Sequence, residues 1–137
     1  MDVTAVAKEI ASKVDAIAGL TAFAYPVDKL PLPGAVVAMP DDVMYDQTYD
    51  RGSDAMTFPL FVFVQRTNEK AAAEALGAFL SGSGTKSIKA AVDNTTTNTY
   101  TSCDTVTVTR AVTGAYTYNG VDVYGAELTV EVSGAGS

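Results

Sequence analysis

The stretch Asp54-Ala-Met-Thr-Phe-Pro-Leu-Phe-Val-Phe-Val-Gln-Arg-Thr67 decides the fold of this chain. Its apolar part, Phe58–Val64, has the length and the aromatic, β-branched composition of a strand. Successive side chains of a strand point to opposite faces, so Phe61 and Phe63 face away from the even-numbered residues. Both faces are apolar, which predicts a strand covered on both sides. In so small a protein, the second covering layer can come from another subunit.

Pro59 interrupts this apolar run. Proline has no backbone N–H and so cannot donate to both neighbours of a central strand. The sequence therefore predicts that Pro59 lies at a bulge or on an unpaired side of the strand.

The length and composition of the chain predict one globular domain, residues 1–137. The chain has 47% hydrophobic residues and a single cysteine, which excludes an internal disulfide framework. Neither a signal peptide nor a run of transmembrane length is recognisable. We therefore expect a soluble protein made in the cytoplasm, with no membrane partner and with Cys103 as a small strand residue.

The net charge of −7 argues against a protein that wraps nucleic acid, because such binding needs clustered Lys and Arg. The basic residues occur singly or in pairs. An acidic surface suits either an ordinary solvated monomer or a wall along which DNA slides without binding.

The first half of the chain predicts a helix, short strands and an acidic segment. Residues 2–18 have apolar residues at helical spacing, with Asp2 as N-cap and Gly19 after the end. Short strands are predicted at 20–25 and 35–39. The acidic segment 41–54 is predicted to form a hairpin arm that leads into the central strand.

The second half predicts two helices and a hairpin. Asn68 is the expected N-cap of the first helix, and a second follows at about 86–92 after the break Ser81–Gly84. A strand is predicted over 99–112, with Val106, Val108 and Val112 on one face. A turn is predicted at 115–120, then a strand over 121–132 and a frayed tail at 133–137.

Strands and helices segregate along the chain rather than alternate. This order predicts an α+β fold with a mainly antiparallel twisted sheet, on one face of which the N-terminal helix and a central helix pair are packed.

The sequence offers little catalytic chemistry. It contains no histidine, which removes Ser-His-Asp and Cys-His arrangements and the usual His-containing metal sites. Ser83-Gly-Thr-Lys86 matches Ser-x-x-Lys, but it lacks the companion motifs of that class and is expected to be a flexible break before a helix. The aspartates of 41–54 lack the spacing of a Ca²⁺ loop. We predict no enzyme activity, no cofactor and no metal site.

Several segments, in their order and spacing, resemble the small tail terminator proteins of long-tailed bacteriophages, particularly those of actinobacteria. The resemblance covers most of the chain. Its segments are Met1–Val6, Ile17–Gly19, Ala35–Pro40, Tyr45–Asp46, Arg51–Phe58, Ser81–Gly84, Ser87–Val92 and Tyr124–Val130. Met56 stands where an aromatic residue is expected, and the Thr-rich loop after Val92 is particular to this chain.

The resemblance implies a structural protein of the virion, assembled in the host cytoplasm. It would form a homo-hexameric ring that caps the tail tube at the head–tail junction, ends tube polymerisation and joins the head connector or stopper protein. DNA would pass through the ring without specific binding. The residues expected at subunit or tube contacts are Tyr45, Asp46, Tyr49, Asp50, Arg51, Phe61 and Phe63.

Two alternatives stay open on the sequence. The chain can be another head–tail joining protein, such as a stopper or neck component. It can also be a monomeric α+β module that binds a peptide or small ligand, which would have a concave apolar pocket and no self-association. The segment 41–54 can likewise be an ordinary solvated hairpin.

Overall fold

The computed structural model describes residues 2–25, 27, 29–45, 54–66, 68–118 and 120–134. Within these residues, three helices and six strands follow one another. They are α1 (Val3–Asp15), β1 (Thr21–Phe23), β2 (Gly34–Val37), β3 (Asp42–Met44), β4 (Asp54–Gln65), α2 (Glu69–Leu80), α3 (Ile88–Val92), β5 (Thr105–Tyr118) and β6 (Val121–Gly134).

The six strands form one mixed sheet in the order β1-β2-β4-β6-β5, and β3 also pairs with β4. Among the described strands, β1 and β2 pair in parallel and the other pairs are antiparallel. β4 is central, since it pairs with β6 along its whole length and with β2 and β3 on its other side. The predicted α+β class with a mainly antiparallel sheet is confirmed.

All three helices pack on one face of the sheet. The core contains the even-numbered residues of β4 from Met56 to Val64, together with side chains of every helix. Val6, Ile10 and Val14 of α1 have no exposed surface. Phe61 and Phe63 lie outside this core, on the opposite face of β4.

The helix N-caps form as predicted. The Asp2 carboxylate accepts from the amides of Thr4 at 2.9 Å and Ala5 at 3.3 Å, and Asn68 accepts from Ala71 at 3.1 Å. α1 ends at Asp15, earlier than residue 18, because the chain then tightens into turns that lead to Gly19, whose φ is +83°.

Pro59 lies where β2 ends and β3 has not yet begun. The Ala38 amide donates to the Pro59 carbonyl at 3.1 Å, so the proline nitrogen is directed at the same segment. Because it has no proton to donate, the ladder stops there. β2 consequently ends at Val37, before the predicted residue 39, and Met39 is 75% exposed.

The acidic arm is in part a strand of the main sheet. Val43 of β3 pairs with Met56, and this part of β4 also pairs with β6. The predicted hairpin is thus joined to the sheet rather than standing apart from it. Residues 46–53 lie outside the described residues.

The hairpin β5–β6 differs from the prediction in two ways. Residues 115–118 belong to β5, which shortens the connection to Asn119 and Gly120. The β5–β6 register shifts by one residue between Val108 and Arg110. After this shift, the even-numbered residues of β5 lie on the opposite face of the sheet from Val106 and Val108. Val112 therefore lies opposite Glu127 and is 46% exposed, whereas Val106 and Val108 are buried, so the three valines do not share one face as predicted.

The remaining corrections concern strand ends. β5 begins at Thr105 rather than 99. The amides of Thr101 and Ser102 donate hydrogen bonds to the Glu9 carboxylate and are therefore not available for strand pairing. Cys103 is therefore buried just before the strand rather than within it. β6 runs to Gly134, so Ser133 and Gly134 are paired rather than frayed; residues 135–137 are outside the described part. Within the described ranges, no helix is long and apolar enough to span a bilayer.

Candidate assembly interface

The face of the sheet opposite the helices carries a cluster of aromatic side chains. Phe61 and Phe63 of β4 stack with ring centroids 6.0 Å apart. Tyr116 of β5 meets them edge-on, at 6.3 Å from Phe61 and 5.5 Å from Phe63. Tyr118 lies 5.5 Å from Phe63. We call these four residues the aromatic cluster.

A pair of glycines makes room for the cluster. Gly125 of β6 pairs with Phe63 on one side and with Gly114 on the other. A Cβ at Gly125 would come within 2.6 Å of Phe63 Cδ1 and of the Val62 carbonyl oxygen. The Phe63 ring therefore lies directly over the glycine backbone, and it is only 5% exposed. This is how a sheet without a helix layer covers glycines in its interior.

The loop that follows β1 covers one end of the cluster. The Tyr118 hydroxyl donates to the Val27 carbonyl and accepts from the Val27 amide at 3.0 Å. Phe23 of β1 pairs with Val36 and meets Tyr25 edge-on at 6.3 Å, and Tyr25 is 61% exposed. The cluster thus continues toward this edge of the sheet as apolar surface that is only partly covered.

The predicted contact residues fall into two groups. Phe61 and Phe63 are brought together, with Phe61 half-buried and Phe63 buried. Tyr45 is 70% exposed beside the end of β3, next to Met44 at 49%. Asp46, Tyr49, Asp50 and Arg51 lie outside the described residues.

Tyr116, Tyr118 and Val112 were not among the predicted contact residues, because a turn was predicted at 115–120 and Val112 was predicted on the same face as Val106 and Val108. A signal was present. A two-residue Asn-Gly connection extends the alternation of Val112, Gly114, Tyr116 and Tyr118 up to the turn. That alternation would have put both tyrosines on one face.

A groove of about 710 Å³ lies on the other face, between α2 and the part of the β5–β6 hairpin nearest its turn. Ala73 and Gly77 of α2 and Thr113 and Ala115 of β5 line it with small side chains. At one end Arg66 stands 4.7 Å from the centroid of the Tyr124 ring, and the Tyr124 hydroxyl donates to Glu69 at 3.2 Å. Tyr124 is only partly buried.

Lys86 and Cys103, two groups that could carry chemistry, have structural surroundings. Lys86 of the Ser-x-x-Lys sequence donates to the Ala18 carbonyl at 2.9 Å. Burial raises the pKa of the Cys103 thiol to about 11, so the thiol is protonated near neutral pH. In the part of the chain that the structure describes, no three His, Cys, Asp or Glu side chains converge as metal ligands.

The sequence matches no protein-family model, and its comparison with curated proteins gives no significant match. The fold and the aromatic cluster are therefore the features from which a function has to be argued.

Proposed function

We propose that this protein is a structural ring-former, a tail terminator of a long-tailed bacteriophage that caps the tail tube and joins it to the head connector or stopper. The observation that carries the proposal is the aromatic cluster on the sheet face opposite the described helices. The resemblance described above supplies the biological context. The protein would act in the virion, at the head–tail junction.

The aromatic cluster suits burial against a neighbouring subunit. Aromatic residues are enriched in the cores of protein interfaces, where they bury large areas at low entropic cost. Half-buried Phe61 and exposed Tyr25 and Val112 leave apolar surface that a second subunit can cover. A ring requires that this surface meet a different surface of the next subunit, since only such heterologous contacts close by rotation.

The charge of the chain fits a ring through which DNA passes. A net charge of −7 on each subunit repels phosphates and keeps the genome from binding to the wall. The segment 41–54, with exposed Tyr45 and the aspartates and tyrosine that follow, is the proposed contact with the tube or the lumen.

Native mass spectrometry at rising protein concentration tests the proposal, with ring imaging as the second readout. We expect a six-fold species. Phe61→Asp should abolish it, because a carboxylate would be buried unpaired at the interface. Ser12→Asp, on the exposed side of α1, is the matched control and should still form rings.

Two results would overturn the proposal. One is a monomer at all concentrations, both alone and with the tube protein. The other is a six-fold species that Phe61→Asp leaves intact while the variant keeps its melting temperature; this would remove the aromatic cluster from the interface.

The second candidate function is a monomeric module that binds a peptide or small ligand, and the groove beside α2 is the observation that favours it. Gly77→Leu would fill this groove without touching the aromatic cluster, since a Cβ at Gly77 meets nothing within 4 Å. A binding module would lose its ligand on this change, whereas a terminator would keep its ring.

A further inference from the structure

β5 is the last strand of the sheet, and its near half is closed by the loop that follows α3. The Val106 amide donates to the Asn94 side chain at 3.0 Å, and the Val106 carbonyl accepts from the Asn94 amide at 3.0 Å. The Val108 amide donates to Asp93 Oδ1 at 2.7 Å, and its carbonyl accepts from Lys89 Nζ at 2.9 Å. Every outward group of Val106 and Val108 is therefore paired, as if by another strand.

In the far half of β5, Arg110–Tyr118, the outward backbone groups are unpaired within the described residues. Tyr118 and Val121 flank the two-residue turn, so Tyr118 and the even-numbered residues before it pair their backbone with β6. The outward backbone groups beyond the register shift consequently belong to Ala111, Thr113, Ala115 and Thr117. No hydrogen bond to their N–H or C=O groups is found within the described residues.

This open edge also lacks the usual protection against pairing. Exposed edges normally carry charges, proline or a covering segment. β5 contains no carboxylate, lysine or proline, and its single charge is Arg110, in a chain with 16 acidic residues. The opposite edge of the sheet is guarded, since the Ala22 amide of β1 donates to the Asp15 carboxylate at 3.0 Å.

We infer that a second copy of this chain pairs with the Arg110–Tyr118 half of β5, in an antiparallel arrangement whose two-fold axis passes at Gly114. In this register Ala111 faces Thr117 of the second copy, and Thr113 faces Ala115. These are the residues whose backbone groups point outward. Each such antiparallel pair exchanges two hydrogen bonds, so the contact contains about eight of them.

The side chains of this register complement each other on both faces. On the face of the aromatic cluster, Val112 meets Tyr116 of the second copy, which is a favourable β-branched–aromatic cross-strand pair. Arg110 meets Tyr118 of the second copy, where its guanidinium can lie on the ring. Gly114 meets itself. No two like charges face each other, because β5 carries only one charge.

On the helix face the paired residues are all small. Thr113 and Ala115 also line the groove beside α2, so a second β5 paired with this edge would lie next to the groove. The two-fold contact forms along the backbone edge of β5 and the proposed ring contact on the sheet face, with Val112 at the border between them. The inference rests on the hydrogen-bonding pattern of the edge and does not depend on the proposed function.

Disulfide trapping tests the register directly. In a Cys103→Ala background, Gly114→Cys places two thiols across the axis, where facing Cα atoms of a pair that is not hydrogen-bonded lie ~4.5 Å apart, within disulfide reach. The Cβ of the new side chain has room, since a Cβ at Gly114 meets only Tyr116 Cε2 within 4 Å, at 3.8 Å. Val112→Cys is the matched control on the same face, with its two copies ~13 Å apart along the strands at 3.3 Å per residue.

With oxidised glutathione we expect roughly tenfold more covalent dimer from Gly114→Cys than from Val112→Cys, as the distances require. Ala115→Pro, which removes an outward N–H and none of the bonds to β6, should abolish the dimer and keep the circular dichroism spectrum of the fold. Equal trapping at both cysteine positions, or none at Gly114→Cys in a folded protein, would overturn the inference. A six-fold ring without disulfide trapping would overturn the two-fold contact and leave the proposed function standing. Trapping without a ring would support the two-fold contact and count against the proposed function.

Discussion

Gly125 is a residue at which a single added methyl group is expected to destabilise the fold. A Cβ there would overlap both the Phe63 ring and the Val62 carbonyl at 2.6 Å, and the backbone atom cannot move aside. We expect Gly125→Ala to lower the free energy of unfolding by about 1–3 kcal/mol, as overpacking does. Urea denaturation measures this loss.

Gly114→Ala is the control, because Gly114 pairs with Gly125 in the register but its Cβ would meet only an ordinary contact at 3.8 Å. Its stability should stay within about 0.5 kcal/mol of the original protein, in the range of neutral surface changes. Equal losses for the two variants would show that the packing of Phe63 over Gly125 is not the cause.

Glu9 ties α1 to the segment before β5. Its carboxylate accepts from the Thr101 amide at 3.0 Å, the Ser102 amide at 2.9 Å and the Ser102 hydroxyl at 2.6 Å. Burial raises the pKa of this carboxyl, but the bonds from Ser102 and Thr101 together lower it by more, so its pKa lies below the usual value. Glu9→Gln should cost about 1–2 kcal/mol of stability near neutral pH.

The pH dependence follows from the lowered pKa of Glu9. Its carboxylate stabilises the fold fully above the pKa of the unfolded chain, and this contribution is lost as the pH falls through the lower folded pKa. The stability difference between the original protein and Glu9→Gln should therefore shrink in acid. Glu74→Gln, on the exposed side of α2, is the control; a difference that grows as the pH falls would contradict the argument.

At the scale of elements, the loop after α3 replaces a seventh strand along the near half of β5. Asp93 accepts from Val108 and is paired with Lys89 at 2.6 Å. Asp93→Ala leaves the Val108 amide without an acceptor and should cost about 1–3 kcal/mol. It should also open a second stretch of free edge, so that the variant aggregates more readily than the original.

Hydrogen exchange locates the effect of Asp93→Ala. The Val106 and Val108 amides should exchange slowly in the original protein, and the Val108 amide should exchange faster in the variant. Asp104→Ala, an exposed change in the same segment, should leave both amides protected. Unchanged protection of Val108 in Asp93→Ala would mean that the loop does not close this edge.

At the scale of the whole molecule, the net charge of −7 opposes self-association of any geometry. Raising the ionic strength from about 0.05 M to about 0.5 M shortens the Debye length from roughly 14 Å to roughly 4 Å. We expect the fraction of assembled protein to rise with salt, as measured by native mass or light scattering. Dissociation by salt would instead indicate contacts dominated by attraction between opposite charges.

The same charge predicts that the protein does not retain double-stranded DNA at low salt, where binding driven by counterion release is strongest. Gel retardation with the assembled and the monomeric protein measures this. Retention of DNA by the assembled form alone would contradict the proposed acidic wall.

Local patterns in the sequence determined much of this protein. The caps at Asp2 and Asn68, the helical apolar spacing and the two apolar faces of Phe58–Val64 depend on residues within a turn or two of one another. Such features need no knowledge of distant partners, because side-chain direction repeats with the helix or strand itself. The class of the fold and the position of Phe61 and Phe63 on the opposite face of β4 from its even-numbered residues followed from them.

Only the tertiary structure decided which faces and edges are free. The register shift after Val108 turns Val112 outward, and Pro59 ends β2 because the ladder it interrupts belongs to a segment some 20 residues earlier. The hydrogen bonds that close one half of the β5 edge depend on Asp93 and Asn94. The aromatic cluster depends on β4 and β5 both pairing with β6, which lies between them. These features arise from contacts between distant parts of the chain, and the alternation of residues within one strand carries no information about which partner it meets.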